Sequence, residues 1–92
     1  MNLPNEPNHI PINGVLDLHK FRPDELGSLI PTYIDECLKE NIYKIRIIHG
    51  KGTGNLRRSV HALLDRNSHV QSYSLASDRS GWGATVATLK ND

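Results

Sequence analysis

The sequence has a single cysteine, Cys37, which rules out an internal disulfide and a cysteine-rich zinc cage and makes a reducing compartment the expected setting. Aromatic residues make up only 5% of the chain, and no apolar run is long enough to span a bilayer. The N-terminal stretch from Met1 to Pro11 sets Pro4, Pro7 and Pro11 among asparagine and glutamate, with no apolar stretch of the kind a secretory signal needs. A cytoplasmic protein with no membrane partner is the expectation. Acidic residues are missing altogether from Asn41 to Leu64, where five basic residues stand, although the net charge of the whole chain is only +1. The positive field is thus local, which favours an anion-binding face over a generally basic protein; a merely solvated charged face is the competing reading.

What is present suffices for one small domain: 92 residues, 37% hydrophobic and 23% charged. Residues 1–11 have too little to bury and read as a flexible arm, leaving a domain over 12–90. Val15 to His19 alternates apolar and polar residues as a short strand does, and Lys20 to Arg22 turns out of it before Pro23 opens a helical turn. From Leu26 the apolar residues fall at 26, 29, 30, 33, 34, 37 and 38, one face of a helix, with Cys37 in the core. Pro31 inside that pattern predicts a kink, or a helix regular only after it. Ile42 to Ile48 is dense in β-branched residues and reads as a buried strand, ended by Gly50 to Gly54. A second helix carries Leu56, Val60, Leu63 and Leu64 on one face and Arg57, Arg58, His61 and Arg66 largely off it, closing at Asn67-Ser68. Val70 to Ala76 and Ala84 to Leu89 read as two further strands around a turn at Ser77 to Gly83. The order βαβαββ predicts an α/β two-layer sandwich, a mixed four-stranded sheet with two helices on one face.

In such a sheet ligands gather beyond the carboxyl ends of parallel strands, where Asp17, His19 and His49 fall. Strand periodicity places Asp17 and His19 on the face away from the helices, with Arg46 beside them if Ile45 and Ile47 point inward. Gly50-Lys51-Gly52-Thr53-Gly54 joins a strand to a helix, so its amides can meet an anion, with Thr53 or Asn55 as the helix cap and Lys51 as a mobile charge. The loop lacks the spacing of a Walker A motif and the third glycine of a dinucleotide fingerprint, so nucleotide cofactors are disfavoured. No cysteine and histidine cluster supports a structural metal. His9, His61 and His69 are assigned to arm and surface, with no role.

Three short motifs then stand together: Leu16-Asp17-Leu18-His19, His49-Gly50-Lys51-Gly52-Thr53-Gly54 and Gly81-Trp82-Gly83-Ala84-Thr85-Val86. In this order and spacing the chain closely resembles the small MutS-related (Smr) domain over about residues 12 to 90, in its stand-alone form. The resemblance implies a fold like the C-terminal domain of translation initiation factor 3, with the last strand antiparallel beside the second, so that Gly81 to Thr85 borders the same site. It also implies nucleic acid as partner, DNA or RNA, with nicking or cleavage of either and, for some members, action at stalled ribosomes. Asp17 and His19 correspond to the family's functional pair, and His49 to Gly54 to its second motif. Lys20 stands where the family has glycine, and Ser80 where many members have another.

The enzymatic expectation is phosphodiester cleavage, with His19 or His49 as general base and acid and Asp17 holding a ring tautomer or binding a metal. Arg46, Lys51 and the Gly52, Thr53 and Gly54 amides would stabilise the transition-state charge, with Arg57 and Arg58 on the strand and Trp82 available to stack on a base. On RNA the 2′-hydroxyl can attack without a metal, whereas on DNA water must attack and Mg²⁺ becomes the expected cofactor. The alternative is a non-catalytic module that holds nucleic acid or a ribosomal partner through the same residues.

Overall fold

A computed structural model of the chain describes residues 10–77 and 83–91; the greater part of the arm and the stretch 78–82, with Ser80, Gly81 and Trp82, lie outside the described residues. Strand β1 (Val15–Asp17) is three residues long and gives way to a 3-10 turn, Leu18–Lys20. The strand expected out to His19 therefore stops two residues earlier. The physical reason is local: the Asp17 carboxylate accepts the His19 amide at 2.9 Å, an N-cap bond that bends the chain out of extended geometry. Lys20 ends this turn with negative φ, since Asn41 is the only described non-glycine residue with positive φ, so lysine costs the turn nothing that glycine would have spared.

A second 3-10 turn, Pro23–Glu25, leads into helix α1 (Leu26–Lys39), and the Glu25 carboxylate accepts the Arg22 amide at 3.1 Å across the start. Helix α1 runs through Pro31 without a break, so regular helix does not wait until after the proline. The bond Pro31 removes would have gone to Gly27, in the first turn, where few later bonds depend on it. The C-terminus closes as a Schellman motif: Asn41 adopts φ 61°, its amide donates to Leu38 and the Ile42 amide to Cys37 at 2.9 Å. These bonds occupy Asn41 and Ile42, and strand β2 (Lys44–Ile48) accordingly starts two residues later than the apolar pattern alone suggests.

Helix α2 (Asn55–Asp65) and strands β3 (Val70–Leu75) and β4 (Ala84–Leu89) complete the chain. The sheet order is β1-β2-β4-β3, with β1 parallel to β2 and β4 antiparallel to both its neighbours. Insertion of β4 in the middle brings Ala84 and Thr85 beside Ile48 and Ile47, at the end of β2. One sheet face is apolar and buried: Leu16, Ile45, Ile47, Ala87 and Leu89 join residues of both helices in a single cluster, against which Ile10 and Ile12 also pack. Each such buried aliphatic side chain of valine size or larger contributes about 1.5–3 kcal/mol, so this layer carries the stability.

Tyr33 ties α1 to the strand that carries the site. It is fully buried, its hydroxyl accepts the Gly14 amide at 3.1 Å and donates to the Val15 carbonyl at 3.2 Å, and burial pushes its phenol up to about 12, so it stays neutral. Tyr33→Phe leaves two backbone groups without this partner and is expected to destabilise the fold by about 1–3 kcal/mol in urea denaturation. A loss below about 0.5 kcal/mol would show that β1 is held by the sheet alone.

Candidate functional site

The site lies where β1 and β2 end. Asp17 caps the turn after β1, and besides the His19 amide its carboxylate accepts the His19 Nδ1–H at 2.7 Å. Both bonds come from a residue only two positions on, so the pair is held by the turn and not by strand alternation. The His19 amide lowers the Asp17 carboxyl below its ordinary range, slight burial opposes this, and the His19 ring and Lys20 add to the lowering. Asp17 is consequently ionised throughout the range where imidazoles titrate. With Nδ1 engaged, Nε2 of His19 has no hydrogen-bond partner among the described residues, and the side chain is 62% exposed. It rests against Gly50: a Cβ built there would stand 3.2 Å from it.

Gly50 has φ 82°, and its amide and that of His49 both donate to the Gly83 carbonyl, at 2.8 and 3.0 Å. The third motif thus borders the second through its described part. The Lys51 stem lies near Gly83. Beyond Gly50 a cleft of about 170 Å³ is lined by His49, Gly50, Gly52, Thr53, Gly54 and the first residues of α2 through Arg57. The cap position of α2 is Gly54, with φ 88°, and not Thr53 or Asn55; the Thr53 hydroxyl reaches only the Asn55 amide, at 3.4 Å. The positive φ is what favours glycine at 54; a Cβ there would also meet the Arg57 guanidinium at 2.9 Å, which that flexible side chain can relieve by moving. Gly54 has no side chain to cap α2 and Thr53 takes only the Asn55 amide, so among the described residues the Leu56 and Arg57 amides of its first turn are left for water or an anion, with the Arg57 guanidinium close to Gly54.

The remaining expected residues are placed as follows. Arg46 shares the open face of the sheet with Asp17 but pairs in register with Val15 and Val86, one row away from it. Arg58 turns its guanidinium to the Asn55 side chain. Trp82 lies outside the described residues. His49 follows the alternation of Ile45 and Ile47 and points to the helix side, only 4% exposed. Its Nδ1 bonds the Gly50 carbonyl at 2.9 Å and its Nε2 the Thr85 hydroxyl at 2.8 Å, so neither ring nitrogen faces the cleft unpartnered. His61, which the sequence leaves on the surface, bonds the same Thr85 hydroxyl through Nε2 at 2.8 Å. Among the described residues no group of three histidine, cysteine or carboxylate side chains converges as a metal cage would.

Residues 16–90 match the model of the family described as the Smr domain. The chain belongs to that family. It is 37% identical over 81 residues to the Endonuclease MutS2 of Halothermothrix orenii and 42% identical over 76 residues to that of Streptococcus pneumoniae. These matches cover 87% and 82% of this chain but only 10% of either relative, so the chain spans about a tenth of their length. Among solved structures, the Smr domain of Thermus thermophilus MutS2 superposes with a TM-score of 0.78 at 29% identity, covering 86% of this chain and all of that one. YdaL, a stand-alone small MutS-related protein from Escherichia coli, superposes with a TM-score of 0.75 at 28% identity, over 85% of this chain and 65% of that one. In this Smr domain no helix among the described residues is long and apolar enough to cross a membrane.

The sequence reading places Thr85 at the border of the site without a contact of its own, and it gives His61 no role. Their only advance signal is weak: Thr85 keeps the inward phase of Ala87 and Leu89, and His61 borders the apolar face through Leu64. Their meeting depends on β4 entering the sheet beneath α2.

Proposed function

We propose that this Smr domain binds a nucleic-acid strand by its phosphates and cleaves a phosphodiester bond in it. One observation carries the reading: an imidazole whose Nδ1 is held by a carboxylate and whose Nε2 stands against Gly50, at the mouth of a glycine-rich, Arg57-covered cleft. A phosphate bound by the amides of the Lys51 to Gly54 loop and by the Leu56 and Arg57 amides of α2 would lie beside Nε2. Asp17 keeps the hydrogen on Nδ1, leaving Nε2 with a lone pair, so His19 can take a proton from the attacking hydroxyl as a general base. The loop amides, Lys51 and Arg57 then meet the charge that grows on the phosphorus oxygens. On RNA the 2′-oxygen bonds to phosphorus as the bond from phosphorus to the 5′-oxygen breaks; the products are a cyclic phosphate and a 5′-hydroxyl whose hydrogen comes from water, which His19 replaces when it returns its own proton to solvent. Arg46 and Arg58 extend the basic surface along which the strand would run, and His49 supports the loop from behind.

The test is incubation of the protein, beside its Asp17→Ala/His19→Ala variant, with end-labelled RNA and with supercoiled plasmid, each with Mg²⁺ and with chelator. Cleavage that the variant lacks supports a nuclease, and its response to chelator distinguishes an attacking 2′-hydroxyl from a metal-activated water. Binding without cleavage by either protein would leave a non-catalytic module. Three to five phosphate contacts predict a slope of roughly −2 to −3.5 in log affinity against log salt on single strands. Lys51→Ala and Arg57→Ala are each expected to make the slope shallower by about 0.7, measured by fluorescence anisotropy across salt concentrations. A salt-independent affinity would remove the phosphate cradle from the account.

A further inference from the structure

We propose that His49, Thr85 and His61 form one proton-sharing unit behind the cleft, and that a phosphate entering the cleft draws a single proton onto it. The inference rests on the reading of the cleft as a phosphate site. Its basis is the direction of the hydrogen bonds. The Gly50 carbonyl can only accept, so neutral His49 carries its hydrogen on Nδ1 and its Nε2 must accept. Thr85 then donates its hydroxyl hydrogen to His49 Nε2, and its oxygen accepts from His61 Nε2–H. One carbonyl therefore sets every hydrogen along a chain that crosses from the end of β2 through β4 to α2.

The nitrogen left over is His61 Nδ1, which has no partner among the described residues, and a proton from the solvent buffer binds there. The charge reaches His49 when the His61 Nε2 hydrogen passes to the Thr85 oxygen as the Thr85 hydrogen passes to His49 Nε2. Two hydrogens move, each group keeps its valence, and the positive charge ends on the ring that lines the cleft. A second proton would place two imidazolium rings 6.2 Å apart, with two N–H groups on one hydroxyl oxygen. The unit thus holds one charge.

The groups facing it are Arg57 and Asp65 from α2, Tyr73 from β3, whose ring lies 4.7 Å from that of His61, and His49 itself. Tyr73 gives its hydrogen to Asp65 at 2.6 Å. Burial, then His49 and Arg57, hold the His61 imidazole below its ordinary range, with Asp65 opposing. The His61 ring is accordingly neutral in the free protein near neutral pH. A bound phosphate offsets Arg57 and favours the charged form, and by reciprocity protonation favours phosphate: affinity rises as pH falls, by at most about tenfold per unit for one proton.

The experiment is calorimetric titration with a short, uncleavable 2′-O-methyl RNA strand in two buffers of different ionisation heat, which counts the protons taken up. Wild type is expected to take up as much as one proton on the acid side of neutrality. His61→Gln keeps an N–H for Thr85 but cannot ionise, and is expected to bind with its His61-dependent uptake gone and its affinity flatter with pH. His19→Gln is expected to retain that uptake. Full uptake by His61→Gln, or its complete loss in His19→Gln, would overturn the inference. In the ligand-free protein the ¹⁵N ring signals of His49 and His61 are expected to move together in one transition, and two independent transitions would equally overturn it. Failure of wild type to bind the strand would defeat the reading of the cleft itself, whereas binding without His61-dependent uptake would defeat only the shared proton.

Discussion

Asp17→Asn is expected to slow cleavage by roughly 10³–10⁴-fold while leaving the fold and strand binding nearly unchanged. The carboxylate makes two bonds to His19, one to its amide and one to its ring, and only the second bears on chemistry. Asparagine can still accept the amide and so preserve the turn. It carries no charge to stabilise the imidazolium that forms when His19 takes a proton, and its amide group can equally donate to Nδ1, which would move the ring hydrogen to Nε2 and remove the base. His19→Ala is expected to cost as much, and the double variant little more, because the two side chains act as one device. Single-turnover rates on RNA, with affinity measured in parallel, decide the matter. A loss below tenfold would place the chemistry elsewhere, and an equal loss of binding would make the pair structural.

Gly50→Ala is expected to lower both the stability of the domain and its cleavage rate. Gly50 has φ 82°, a conformation that costs an L-residue about 1–2 kcal/mol, and the new Cβ would stand 3.2 Å from His19 Nε2. Its amide is bonded to Gly83 and its carbonyl to His49, so the backbone has little freedom to move aside, and the His19 ring must. The ring must give by a few tenths of an ångström, whereas misplacing a reacting group by about an ångström costs on the order of 10²-fold in rate. The variant should therefore fold with about 1–2 kcal/mol less stability and cleave more slowly by under about tenfold. Gly27→Ala is the control: a Cβ there meets nothing within 4 Å, and in a helix the change should be neutral or stabilising by up to about 1 kcal/mol. Wild-type activity in Gly50→Ala would show that His19 is not held against this turn during the reaction.

Much of this site is readable in order along the chain. Asp17 and His19 can be paired from sequence because they are two residues apart, and the glycines at 50 and 54 announce a strand ending where a helix begins. The manner of the first pairing is not readable, since an alternating strand and an Asp-capped 3-10 turn both bring residues i and i+2 together. The two geometries differ only in whether the Asp17 side chain takes the His19 amide, a competition between side chain and sheet that short polar sequences leave nearly balanced. The start of β2 was misplaced for a similar reason: Ile42 has the composition of a strand residue, but its amide is used in closing α1.

Local chain order alone accounts for the apolar stripe from Leu26 to Cys37, the buried run of β2, the neighbouring Asp17 and His19, and the glycine loop. Each follows from residues near one another in the chain, whose preferences are expressed whatever the rest of the molecule does. That Thr85 lies between His49 and His61, so that His49 faces inward with both ring nitrogens engaged and His61 is half-buried against Thr85, follows from the packing of distant segments. Those partners are 36 and 24 residues apart, and they meet because the burial of Ala87 and Leu89 draws β4 into the sheet beside β2, under α2. Hydrophobic burial, which has no regard for hydroxyls or imidazoles, sets where β4 runs, and the hydrogen-bond chain follows from where that strand happens to place a threonine.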